Sequence, residues 1–323
     1  MLKALTLRVA QAVLTLWVTS VLAWVLLLHA PGDPARTVLG ARGIVTPTPA
    51  LLAATRKQLG LDGPVLPRYG HWLWRALHGD FGTSWQTGRP VMDEFATRLP
   101  ATGRLTLVAL GISVGLALVL GLMSAITQGR WADRMLRAVM LLMIVVPGFV
   151  VGLFVLNVLV VHWNLGVVVA DGRWRTVGWP AATLALWSVG YWGRILRGSV
   201  LEAAGAPYLL VSRARGCSAP RRWLLHVLPN AAGPFLTVVG LGTATLLGGA
   251  PIVETVYSWP GVGEYTVQAI GARDLPVVVA YTICAVGLYV VFGLLVDVLL
   301  AALDPRLRRS TVRSRPRRAA VAA

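Results

Sequence analysis

Catalysis requires a nucleophile, an acid–base pair or a metal cluster set at working distances, and the 323 residues of this chain offer few candidates for any of these. Nucleotide hydrolysis through a P-loop needs G-x-x-x-x-G-K-[ST], whose lysine reaches the phosphates. The only lysines are Lys3 and Lys57, and neither stands in such a run. Gly261-Val-Gly263 lacks the third glycine of a dinucleotide fingerprint and reads as a turn. His162 with Asp171, and His78 with Asp80, come nearest to acid–base pairs, but spacing brings no nucleophile or metal partner to either. His71 and His78 fall on one helical face, yet no carboxylate or thiol completes a metal set, and Cys217 and Cys284 form no thiolate site. The sequence predicts no catalytic residue, no metal site and no resident cofactor, so energy for any driven process must come from another chain.

The elements available to carry function are membrane helices. The chain is 56% hydrophobic and 13% charged, against about 25% charged residues in a soluble domain. Apolar runs near the length needed to cross about 30 Å of hydrocarbon cover Val9 to Leu28, Leu105 to Ile126, Ala138 to Val161, Trp179 to Leu196, Ala231 to Val253 and Val277 to Leu303. This predicts an all-α membrane protein of about six transmembrane helices. The fourth run is the weakest, because Arg194 and Arg197 crowd its end, where they are expected to snorkel. The first run is too long for a signal h-region, and His29-Ala-Pro-Gly-Asp33 is a poor cleavage site, so it is read as a membrane helix.

A net charge of +17 would suit a nucleic-acid binder, but the placement of the charge argues against one. With the N-terminus inside, the inner segments hold Lys3, Arg8, Arg130, Arg134, Arg137, Arg194, Arg197, Arg213, Arg215, Arg221, Arg222 and the tail from Arg306 to Arg318. Only Asp133, Glu202 and Asp304 oppose them. This is the positive-inside pattern, and it places both termini in the cytoplasm.

Two polar segments stand out. The outer segment carries an amphipathic stretch from Pro49 to Leu59 and a Trp-rich one, His71 to His78, suited to a headgroup surface. The inner segment 197–230 is helix-compatible from Leu201 to Arg215, interrupted at Gly216, and ends near Pro229. A short helix, a glycine and a second helix between two spans form a docking element rather than a linker. Within the membrane, Asn157 and Ser188 are candidate path-lining residues or interhelical hydrogen bonders. Gly248-Gly-Ala-Pro251 is a candidate bend or packing site, and Asp297 near the inner end of the last span is expected to pair with a basic inner residue.

The literal string Glu202-Ala-Ala-Gly205 looks like the EAA signature of importer permeases, but its register is wrong. Counting back from Leu228-Pro229 puts the signature glycine at Gly216 and its E-A-A positions at Leu210, Val211 and Ser212. In that register the chain resembles the permease subunits of the peptide and nickel class of ABC importers. Arg213-Ala-Arg-Gly216 and His226-Val-Leu-Pro-Asn230 resemble the family's docking loop. In order follow Leu247-Gly-Gly249, Glu254-Thr-Val-Tyr-Ser-Trp-Pro-Gly-Val-Gly263, Arg273-Asp-Leu-Pro-Val277 and Leu303-Asp-Pro-Arg306. Upstream lie Pro31-Gly-Asp-Pro34, Leu59-Gly-Leu-Asp-Gly-Pro64, Gly79-Asp-Phe-Gly-Thr-Ser84, Arg89-Pro-Val91 and Leu99-Pro-Ala-Thr102, so the resemblance covers nearly the whole chain. Ser212 stands where the family has alanine, Pro229 where this class has arginine, and Gly103-Arg104 where Leu-Glu is common. Ala54-Thr-Arg, Tyr69-Gly-His-Trp-Leu-Trp74 and Ala76-Leu-His78 look closer to nickel permeases than to dipeptide ones.

The resemblance implies a type I importer permease fold in the bacterial inner membrane. It implies a second, similar permease, two ATPase subunits that bind ATP and Mg, an extracytoplasmic substrate-binding protein and surrounding lipid as partners. The implied cargo is nickel, free or chelated, or short peptides. The implied ATPase-coupling residues are Tyr208, Arg213, Ala214, Arg215, Gly216, Arg221, Arg222, His226, Pro229 and Asn230, and the path candidates are Asn157, Ser188, Gly248, Gly249 and Glu254. The organisation expected is an N-terminal helix (1–29), an outer segment (30–103), a five-helix core (104–306) containing the loop 197–230, and a basic tail (307–323). The competing readings are a membrane-embedded enzyme acting on lipid-linked substrates and a passive channel.

Overall fold

The computed structural model describes residues 2–303 apart from 30, 31, 60 and 168. The basic tail and the side chain of Asp297 lie outside the described residues. The described chain is helical, with one isolated bridge, Thr83 to Pro90, in its loops.

The first membrane helix is α1, Leu2–His29. On the outer side follow α2 (Pro34–Ala41), α3 (Pro49–Gln58) and α4 (Val65–Leu77). Local chemistry starts the first two: Asp33 accepts from Ala35 N at 3.1 Å and Thr48 from Leu51 N at 3.4 Å, each followed by proline at the first helical position. Pro31-Gly-Asp-Pro34 is thus in part a helix cap. The Trp-rich stretch belongs to α4, which opens six residues earlier than the sequence reading had it.

Helix α5 runs from Val91 to Ile126, beginning well before the apolar run at Leu105 because its first turns are part of the outer layer. Then come α6 (Trp131–Val145) and α7 (Gly148–Phe154), the latter continued by a π-helical stretch, Val155–His162. The run Ala138 to Val161 is therefore not one straight span. It bends by 97° at Val146-Pro147, where proline supplies no N–H to continue the ladder. Helix α8, Gly178–Ala204, corresponds to the fourth run. A kink at Gly205-Ala-Pro207 leads to α9 (Tyr208–Ala214), then α10 (Ala219–Arg222), a π-helical turn Trp223–Val227, and α11 (Leu228–Val256). Last are α12 (Val262–Gly271) and α13 (Leu275–Leu303).

Four helical stretches are long and apolar enough to cross a membrane, or five if the bent pair is one span. Helix α8 is the sixth of membrane length, at 27 residues. It falls short on composition because it is the centre of the bundle, where it packs on α5, α6 and α11 and meets little lipid. Small residues make this possible. A Cβ on Gly121 of α5 would stand 2.7 Å from the Gly193 carbonyl, and one on Gly190 would stand 2.5 Å from the Met140 carbonyl of α6. Trp192, wholly buried, fills the space over Gly242 of α11.

Polar knots tie the two ends. At the outer end, the Asp274 carboxylate accepts from Ser84 Oγ at 2.5 Å, Trp85 N at 3.0 Å and Gln86 N at 3.2 Å. It joins two sequence motifs 190 residues apart. Replacing Asp274 with alanine strips the acceptor from three donors and is expected to cost about 1–3 kcal/mol. Limited proteolysis should then cut the 84–90 segment, which wild type protects.

Candidate functional site

The segment 197–230 starts on α8. Arg197, read from sequence as a snorkelling residue, instead makes a bidentate pair with Asp133 of α6, Nε and Nη2 each at 2.9 Å. Asp133 is 1% exposed and also accepts from Ser124 Oγ of α5 at 2.6 Å and Gly129 N at 3.1 Å. One carboxylate thus fixes the inner ends of α5, α6 and α8. Arg197→Gln leaves the Asp133 carboxylate with only the half-exposed Arg137, 3.5 Å away, as its ionic partner. Breaking a dry ion pair costs about 3–5 kcal/mol. Because Arg197 keeps 19% exposure, a loss of roughly 2–3 kcal/mol is expected here. Thermal unfolding in detergent should show it, and the Asp133→Asn/Arg197→Gln double variant should be more stable than Arg197→Gln alone.

Beyond this anchor the chain makes a short, closed unit. Helix α9 ends in a Schellman motif: Gly216 N donates to the Arg213 carbonyl at 2.9 Å and Cys217 N to the Ser212 carbonyl at 3.2 Å. The motif requires a left-handed residue, and Gly216 has φ +75°. A Cβ there would meet nothing within 4 Å, so the requirement is conformational and not one of space. Ser212 is buried on the inward face, which suits the small residue expected there.

The outward face is different. Tyr208, Leu210 and Val211 are exposed. Arg213, Arg215 and Arg221 are exposed beside them and make no ion pair among the described residues. Arg222 is turned inward, donating to the Cys217 carbonyl at 2.6 Å, and braces the loop. His226 accepts through its carbonyl from Asn230 Nδ2 at 2.6 Å. The helix runs on through Pro229, where the polar inner segment ends. The π-helical turn just before it takes up the missing N–H, and α10 runs on into α11.

The path candidates separate. Ser188 and Gly249 line one cleft of about 350 Å³ between the Pro147 bend, α8 and α11, together with Phe149, Trp187 and Thr245. Asn157 and Gly248 are exposed outside that lining. The Gly248-to-Pro251 stretch stays helical within α11. Glu254 is wholly buried at the outer end of α11. Its carboxylate accepts from Thr102 Oγ1 at 2.7 Å and Glu264 N at 3.0 Å, while Val262 N donates to Thr102 Oγ1 at 2.9 Å. Trp259 closes the same knot, its indole donating to the Ala101 carbonyl at 3.0 Å. The sequence reading missed the stacked, half-exposed pair Trp187 and Tyr191, centroids 5.0 Å apart, whose signal was two aromatics at i and i+4 in a span.

Among the described residues no group of three His, Cys, Asp or Glu side chains is placed to hold a metal ion. His78 packs on Trp74 and its ring pairs with the Trp74 carbonyl, while His71 borders an outer cavity.

The sequence profile of binding-protein-dependent transport system inner membrane components matches residues 117–309, more than half the chain, and the profile of that system's N-terminal membrane component matches residues 1–106. The chain belongs to this family. The permease is 34% identical over 311 residues to a protein named as a peptide transport system permease of Brucella abortus, covering 93% of this chain and 97% of that protein. It is 33% identical over 301 residues to the glutathione transport system permease of Shigella flexneri, with the same coverage. Among solved structures it is similar to a chain of the MetNI methionine ABC transporter, at TM-score 0.54 and 17% identity over 66% of this chain and 97% of that one. An amino acid ABC transporter chain gives TM-score 0.50 and 19% identity over 67% and 94%. The permease has the type I importer fold and lies in the inner membrane with several passes, and it is not an enzyme: in these transporters the ATPase is a separate subunit.

Proposed function

We propose that this permease forms half of the path of an ATP-driven importer of short peptides or peptide-like thiols such as glutathione, and that segment 197–230 receives the ATPase's movement. A second permease completes the path, two ATPase subunits bind ATP and Mg, and an extracytoplasmic binding protein delivers cargo. The carrying observation is the α9 unit: a rigid stub whose exposed side combines apolar Tyr208, Leu210 and Val211 with the arginines at 213, 215 and 221. Such a face suits a groove with an apolar floor and acidic rim. The Asp133–Arg197 anchor then passes rigid-body movement of the stub into α8 and α6. The cleft at Ser188 and Gly249 supports a path along α8 and α11.

Both relatives named for cargo carry peptide or glutathione names, which favours peptides over the nickel reading of the outer-loop motifs. In native membranes, cross-linking through half-exposed Cys217 should capture an ATPase subunit, with Cys217→Ser as the control. Labelled dipeptide or glutathione should be taken up and labelled nickel should not. Capture of no ATPase sinks the docking reading, and nickel uptake without peptide uptake sinks the cargo reading.

A further inference from the structure

A cavity of about 670 Å³ opens on the outer side, between the π-helical stretch after α7, the loop that follows it, the start of α8 and Tyr257 at the end of α11. That volume is within the range of small-molecule sites, about 300–1,000 Å³. The walls are mainly apolar, with Val160, Leu165, Val167 and Ala182 among them, and the charged residues of the lining are Asp171 and Arg175.

Most polar groups of the lining are already matched. Asp171 Oδ1 accepts from Thr176 Oγ1 at 2.6 Å and from Arg173 N at 3.0 Å, and its Oδ2 lies 3.8 Å from Arg173 Nε. Trp179 Nε1 donates to the Leu165 carbonyl at 2.8 Å. Arg175 is exposed and makes no hydrogen bond or ion pair among the described residues. A guanidinium is a planar fork of donors that fits a carboxylate, so Arg175 is the group of this cavity with charge and donors to give.

One hydrogen-bonded pair separates this cavity from the cleft at the Pro147 bend. Tyr257 lines the outer cavity and Thr183 lines the cleft, and their hydroxyls are 2.9 Å apart, both residues being buried. The consecutive residues Ala182 and Thr183 of α8 thus border the two spaces in turn. Taking the cargo to be a short peptide, we propose that the outer cavity is the first station of the path in this chain, where Arg175 holds the peptide's C-terminal carboxylate and the apolar walls its side chains. Nearness to the cleft favours transported cargo over a dissolved anion, and the apolar walls favour a peptide over an inorganic ion.

Saturation-transfer NMR on the full chain, purified in detergent, tests this with dialanine and its C-terminal amide as probes. Dialanine should bind wild type about tenfold more tightly than the amide, which lacks the carboxylate. Arg175→Gln should erase that difference by weakening dialanine alone, and Arg175→Lys, which keeps the charge, should restore part of it. Arg173→Gln removes the same charge from the same loop outside the lining, and should keep the wild-type preference. Arg175 is exposed, so its replacement should leave the fold intact. Wild type that binds neither probe, or Arg175→Gln that retains the preference, overturns the proposal. Loss of dipeptide uptake in Arg175→Gln, with probe binding as in wild type, would make Arg175 a contact for the delivering protein and would overturn it too. Dipeptide uptake by the complete wild-type transporter is independent of these results, and its absence would sink the cargo reading separately.

Discussion

Gly216→Val is expected to abolish uptake and the co-purification of ATPase subunits while membrane insertion stays at the wild-type level. A left-handed conformation costs an ordinary L-residue about 1–2 kcal/mol, and a β-branched one suffers most. Relief by moving to negative φ would break both Schellman bonds, from Gly216 N and Cys217 N, and swing α9 away from α10. The effect on transport should be far larger than that energy suggests, because an ATPase groove would have to receive a misdirected stub. Gly216→Asn is the deciding control. Asparagine tolerates φ +75°, and nothing lies within 4 Å to obstruct its Cβ, so it should keep most of the uptake. An Asn variant as inactive as the Val variant would show that backbone handedness is not the requirement.

The second large effect is expected at the outer knot. A Cβ on Gly261 would overlap the Glu254 carboxylate, and one on Gly263 would stand 2.6 Å from the Pro251 backbone. Glu254 has nowhere to retreat, because Thr102 and the Glu264 amide hold its two oxygens. Gly261→Ala should therefore cost about 3 kcal/mol or more, at or beyond the upper end of overpacking penalties. Its melting temperature in detergent should drop sharply. Shortening the obstacle relieves the clash, so Gly261→Ala/Glu254→Ala should lose less than the two single losses added together. A single Gly261→Ala variant that melts like wild type would show that the knot is loose.

Several features were legible in the sequence because they depend on local composition. The apolar runs marked the helices, Pro49 marked the start of an outer amphipathic helix, and Gly216 marked a turn. The misreadings share one cause: hydropathy records what a residue is and not what it meets. Arg197 in a weak span reads as a snorkelling residue until Asp133, 64 positions away, is brought against it. Glu254, just beyond an apolar run, reads as an outer-loop or path residue, and only the folded turn from Trp259 to Gly263 reveals that backbone N–H groups surround it. The Pro147 bend is hidden inside a run that is apolar on both sides. Motif order did foreshadow the long-range contacts, since Gly79 to Ser84 and Arg273 to Val277 were both singled out. The chemistry that pairs them, one carboxylate serving three donors, needed coordinates. In the cleft, Ser188 and Gly249 were identified from their type, whereas Trp187 and Tyr191 passed as ordinary membrane aromatics.

The 97° turn at Pro147 separates two arms. The arm before it is bound to α8 by Asp133 and by Met140 resting on Gly190 and Gly193; the arm after it rests on α8 as well, with Gly152 against Thr183, and also leans on the far end of α11 through Val256 and Tyr257. The two arms therefore brace α8 at two levels, and the second is also joined to the outer end of α11. A shift of α8 would thus be felt by both arms together, and by Phe149 and Ser188 in the cleft at their bend.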